Sequence, residues 1–186
     1  MEKLTIDLGK VNKSSLYLGL VLIVFIGIPY YFIWPEQFTL VNSKNALKHL
    51  SHKFSFFLGL VPLVFLALGV ALHELIHGLT WSLFAKNGLK SIKYGIMKEY
   101  MTPYCHCTEP LKVKHYIIGG IMPAIILGII PSLLAIYFGN FYLLIFGMFF
   151  TNAAIGDFLI IKLLLNENMH SEVQDHPSEA GCFIKR

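Results

Sequence analysis

Read for apolar and polar positions, the chain falls into four long apolar runs, 16–34, 54–84, 116–138 and 141–165, joined by shorter polar stretches. Each is long enough for an α-helix to cross a bilayer, which takes about 20 residues. The pattern predicts an all-α, polytopic membrane protein with four transmembrane helices. It is read as a single integral-membrane domain over 1–186, with a cytoplasmic tail at 166–186.

The first run leaves the bilayer through Tyr30-Tyr31-Phe32-Ile33-Trp34, which suits an interfacial aromatic belt. Lys3, Lys10 and Lys13 precede it as in a signal peptide, but no small-residue cleavage site follows, so an uncleaved helix is expected. The second run is longer than one crossing needs and predicts tilt, a kink at Pro62 or an extension beyond the bilayer. Pro123 and Pro131 are expected to kink the third, and Gly139-Asn140 to turn the chain tightly into the fourth as an antiparallel helical hairpin.

Composition agrees with the pattern: hydrophobic residues make up 55% and charged residues 14%, against ~25% charged in soluble domains, with mean hydropathy +0.63. The surplus apolar surface needs lipid to face. Four crossings place both termini and the 85–115 loop on one side with eleven basic residues, leaving Lys44, Lys48 and Lys53 on the other. Positive residues favour the cytoplasm, so both termini are expected there, in the cell membrane. The net charge of +4 is thus read as orientation, and no nucleic-acid partner is expected. Three cysteines are too few and too odd in number for a disulfide framework.

Within the second run stands His73-Glu74-Leu75-Ile76-His77. Two histidines four apart share a helix face and can hold one metal, while the intervening Glu can take a proton from a water that the metal activates. A shuffled chain of this composition would show the pattern about 1% of the time. Catalytic zinc takes three protein ligands, so Zn2+ here needs a third.

Asp157 is the best candidate, because it is the only acidic residue besides Glu74 inside an apolar run, where an unpaired carboxylate is expensive. Counted from the helix ends at Phe84 and Leu165, the motif and Asp157 lie at matching depth, roughly 12 to 14 Å in. Cys105, His106, Cys107, His115, Asp175 and His176 are substitutes that would have to fold back to the site. Cys105-His106-Cys107 lacks the paired spacing of a structural zinc site, and His49 and His52 read as interfacial polar residues. The segments 89–97 and 101–107 are compatible with a short membrane-associated β-hairpin between helices 2 and 3, able to pair with an extended substrate. The tail around Asp175-His176-Pro177 reads either as a solvated end or as a strip over the mouth of the site.

The motif with Gly78, the stretch Pro103-Tyr104-Cys105-His106-Cys107-Thr108-Glu109-Pro110-Leu111, Gly156-Asp157 and Asp175-His176-Pro177 together resemble the domain of unknown function 3267 family, putative zincin peptidases. That family is similar in plan to the site-2 proteases, intramembrane zinc enzymes that cut membrane-embedded substrates. The resemblance implies His73, His77 and Asp157 as zinc ligands and Glu74 as catalytic base. The expected function is hydrolysis of peptide bonds in membrane-protein or peptide substrates at the lipid bilayer. The alternatives are a membrane metal or ion transporter, for which four helices without a repeat are a poor basis, and a catalytically inactive membrane scaffold. These patterns specify no oligomeric state.

Overall fold

The computed structural model describes residues 2–6, 8–38, 55–97, 102–176 and 181–185. His49 and His52, with the basic residues Lys44, Lys48 and Lys53, lie outside the described residues. Strand β1 (Glu2–Thr5) leads into helix α1 (Leu8–Leu22), which passes through a π-helical turn (Ile23–Gly27) into α2 (Ile28–Ile33). The same device recurs where α4 (Val113–Pro123) continues through the π turn Ala124–Ile129 into α5 (Ile130–Phe138). Both wide turns stand just before a proline, Pro29 and Pro131. Proline has no N–H and its ring clashes with the carbonyl one turn back, and a widened turn accommodates it without ending the helix.

Helix α3 (Ser55–Ser82) holds the His73–His77 stretch and runs as one helix through Pro62. After Gly139, whose φ of 66° makes the left-handed turn, Asn140 caps α6 (Phe141–Ala153) by accepting a hydrogen bond from the Leu143 N–H at 3.0 Å. The two helices α5 and α6 lie side by side as the expected hairpin. Where one long fourth helix is expected, α6 meets α7 (Ile155–Leu164) at a 43° bend around Ala154. Ala154 has ψ of 10°, outside helical geometry, and the bend sets Asp157 in the first turn of α7.

Helices Lys10–Ile33, Leu63–Ser82 and Val113–Phe138 are long and apolar enough to cross a membrane, and the bent pair makes a fourth if counted as one span. Leu63, Val64, Phe65 and Leu68 of α3 are exposed, as are Tyr137, Phe138 and Tyr142 at the hairpin. A surface so apolar is consistent with membrane association.

The hairpin expected between helices 2 and 3 is present, and a second sheet corrects the all-α expectation. Strands β2 (Ile92–Met97) and β3 (Thr102–Cys107) form an antiparallel pair with Tyr94 opposite Cys105. Strands β4 (Leu111–Lys112), β5 (Glu172–Asp175) and β6 (Gly181–Lys185) join β1 in an antiparallel sheet of order β1-β6-β5-β4. Glu2 lies opposite Ile184 and Thr5 opposite Gly181, so the N-terminal strand and the tail share one end of the helix bundle. The polar tail hid this sheet because one of its inward residues is itself charged: β5 buries Val173 and Asp175 while Glu172 faces out.

The main core sits at that same end. Trp81, Tyr116, Leu164, Val173, Cys182 and Ile184 are among its buried residues, so helices α3, α4 and α7 are sealed by the sheet. Burying one large apolar side chain contributes roughly 1.5–3 kcal/mol. A smaller cluster at the other end gathers Tyr30, Ala135 and Leu144.

Candidate metal centre

One turn of α3 separates His73 from His77, and both side chains are buried on its inner face. Asp157 reaches them from α7: its Oδ2 lies 3.2 Å from His73 Nε2 and its Oδ1 3.4 Å from His77 Nε2. The two Nε2 atoms are 3.2 Å apart. Among the described residues these three form the group of His, Cys, Asp and Glu side chains able to hold a metal ion, with donor atoms all within 4.8 Å of one another. Two donors each ~2.0–2.1 Å from one tetrahedral ion stand roughly 3.3 Å apart. The two nitrogens stand at about that edge length and each lies as close to one of the two Asp157 oxygens, and two nitrogens with one carboxylate are a donor set that zinc accepts.

The ring of His77 is oriented from behind. Its Nδ1–H donates to the Gly119 carbonyl of α4 at 2.9 Å, which leaves the Nε2 lone pair pointing into the triad. On its other side His77 stacks on Trp81, centroids 5.0 Å apart and planes at 15°. Trp81 in turn stacks on Tyr116, also 5.0 Å away, and donates its indole N–H to the Tyr116 carbonyl at 3.1 Å. Gly119 is required by this packing, since a Cβ there would sit 2.1 Å from the Trp81 ring.

Glu74 projects beside the triad, close to His73, His77 and Asp157, and the backbone N–H of Cys105 is directed at its carboxylate. Thr108 bonds Ser91 across the hairpin at 2.8 Å, so the alternation of an antiparallel ladder turns the N–H groups of Cys105 and Cys107 outward from β2. The hairpin lies against α3 because Gly78 has no side chain: a Cβ there would meet Tyr94 Oη at 2.1 Å and Ile92 at 2.7 Å.

The remaining sequence candidates lie elsewhere. Asp175 is buried against Tyr116, whose hydroxyl donates to Oδ1, and accepts the Cys107 N–H on Oδ2 at 2.8 Å, with His106 Nδ1 3.6 Å away. His115 stacks on Phe84 at 4.2 Å, and His176 packs on Phe183 at 4.8 Å. Among the described residues, Cys105, His106 and Cys107 form no metal-holding group. Burial pushes the Cys105 and Cys107 thiols up, and that of Cys182 up to about 12.

Sequence reading missed Gly119, Trp81 and Tyr116. One signal was available: Trp81 follows His77 by four residues and so shares its helix face.

Comparison with known proteins adds one finding. No curated protein and no solved structure matches the chain. A family model does, over residues 65–171, which include His73, Glu74, His77 and Asp157. That stretch is more than half of the chain, and the chain therefore belongs to the DUF3267 family, whose description is "Putative zincin peptidase".

Proposed function

We propose that this protein is an intramembrane zinc metallopeptidase that hydrolyses peptide bonds of membrane-associated substrates. The observation that carries the reading is the convergence of His73, His77 and Asp157 at 3.2–3.4 Å beside a glutamate, on helices apolar enough to lie in a bilayer. His73, His77 and Asp157 would hold zinc. When bound, zinc supplies Lewis acidity, lowering the pKa of a water and polarising the scissile carbonyl.

The chain's own residues supply the rest. Glu74 takes the proton of the attacking water and delivers it to the leaving amine. The Cys105 N–H steadies the Glu74 carboxylate, and the Gly119 carbonyl keeps His77 in the tautomer that can ligate. The hairpin lies beside Glu74, and an extended substrate segment would reach the site next to it. Both termini share one end of the bundle, and the excess of basic residues on that side supports a cytoplasmic orientation in the cell membrane.

The test is purified protein assayed for zinc content and for hydrolysis of membrane-segment peptides, with Glu74→Gln alongside. Zinc retained with cleavage lost is the expected result. Undiminished cleavage by Glu74→Gln would remove the assignment of the base and with it the mechanism.

A further inference from the structure

Asp175 lies outside the matched family stretch, yet it is the buried carboxylate on which three parts of the molecule meet. It belongs to the tail strand β5. Its Oδ1 takes the Tyr116 hydroxyl of α4, its Oδ2 takes the Cys107 N–H of β3 at 2.8 Å, and His106 of the same strand is 3.6 Å away. Burying a carboxylate is costly unless such donors surround it. The donors it gathers are the far ends of the two elements that flank the metal triad.

From Tyr116 the contacts run without a gap to His77. The Tyr116 ring stacks on Trp81 at 26°, Trp81 stacks on His77 at 15°, and both rings are tied to the backbone of α4 through the Tyr116 and Gly119 carbonyls. The column cannot slide towards α4, because Gly119 leaves room for the Trp81 ring and nothing more. Removing the hydroxyl–carboxylate bond at its base frees Tyr116 to rotate and Trp81 to follow.

We propose that Asp175 is a positioning residue of the metal centre, acting through Tyr116 and Trp81 to fix the ring of His77, so that docking of the C-terminal strand completes the site. The proposal rests on the metallopeptidase reading above for its effect on turnover, and on the stacked column alone for its effect on His77. Asp175 itself does not touch the triad; it sets the ring that does. The tail is then a working part of the centre and not a solvated end.

The experiment uses the full chain in lipid nanodiscs, loaded with cobalt for visible absorption and with zinc for peptide hydrolysis, with metal content measured in each preparation. Asp175→Ala and Tyr116→Phe are expected to lower kcat roughly tenfold at unchanged metal content and KM, and to shift the cobalt ligand-field bands. Asp175→Asn keeps one acceptor oxygen for Tyr116 but turns its NH2 towards the Cys107 N–H, so it recovers part of both. Glu172→Gln, on the same strand as Asp175, removes the exposed 3.5 Å ion pair with Lys185 of β6 and leaves bands and kcat alone.

Unshifted bands and unchanged kcat per bound metal in Asp175→Ala and Tyr116→Phe, even at lowered thermal stability, would make Asp175 a purely structural residue and overturn the proposal. If Asp175→Ala does not fold, Tyr116→Phe decides, since it keeps the ring and loses only the hydroxyl. If no peptide is cleaved by the unaltered protein, the peptidase reading fails while the cobalt bands still judge Asp175.

Discussion

The two ends of the helix bundle use the same anchor for different ends. Near the hairpin turn, Trp34 donates its indole N–H to the Ile136 carbonyl at 2.9 Å, and Gln37 bonds both Tyr30 and the Gly139 carbonyl. At the opposite end Trp81 donates to the Tyr116 carbonyl at 3.1 Å in the same manner. A tryptophan whose polar edge is tied to backbone and whose face is packed is a rigid plate. Around Trp34 the plate closes a loop over a small cluster of Tyr30, Ala135 and Leu144. Around Trp81 it presses on His77, so an equivalent contact sets the orientation of a ring in the metal triad. What distinguishes a site from scaffold here is the neighbour of the anchor and not the anchor.

Breaking the site end at its centre has the largest effect. His77→Ala should reduce bound zinc from roughly one per chain to near zero and abolish hydrolysis, read by metal analysis of the purified protein. Retention of a full complement of zinc would show that His77 is not a ligand. Gly119→Ala comes next, because its methyl collides with the Trp81 ring. Activity should fall roughly 10–100-fold while zinc stays bound and circular dichroism keeps its helical signal.

The matching change at the other end is smaller and of another kind. Trp34→Phe loses one hydrogen bond to a carbonyl and should lower stability by about 1 kcal/mol with kcat untouched, measured by thermal unfolding in detergent and by turnover. A drop in kcat without loss of stability would erase the contrast between the ends. The smallest signal is a reaction that does not occur. With its pKa pushed up to about 12 by burial, Cys182 is about one part in ten thousand thiolate at pH 8, against about a quarter for a free thiol. Iodoacetamide should therefore leave it unlabelled in folded protein and modify it on unfolding, as mass spectrometry of peptides would show.

Much of this could be read from the chain because hydrocarbon makes polarity conspicuous. His73, His77 and Asp157 are ionisable residues in apolar runs, and their matching depth supports pairing α3 with the last run, where Asp157 lies 3.2 Å from His73. The Tyr- and Ile-rich segments of β2 and β3 were legible for the same reason, through strand-forming residues between turns. The bend at Ala154 was not, since Ala and Gly carry no proline-like signature. The sheet β1-β6-β5-β4 was hidden by its size and by Asp175, a charge on the inward side where alternation predicts an apolar residue. Trp81 and Tyr116 looked like ordinary members of an apolar run. Their role depends on stacking across two helices, which a one-dimensional pattern does not carry.

The pairing of β1 with β6 also imposes an order on synthesis. Glu2–Thr5 is made long before Gly181–Lys185, its partner in the sheet, with the helices of the described residues in between. At about 5–20 residues per second that is a wait on the order of ten seconds or more. For nearly all of it Asp175 is itself unmade, because β5 precedes β6 by only a few residues. A nascent chain thus holds His73, Glu74 and His77 before it holds the strand proposed to steady the His77 ring.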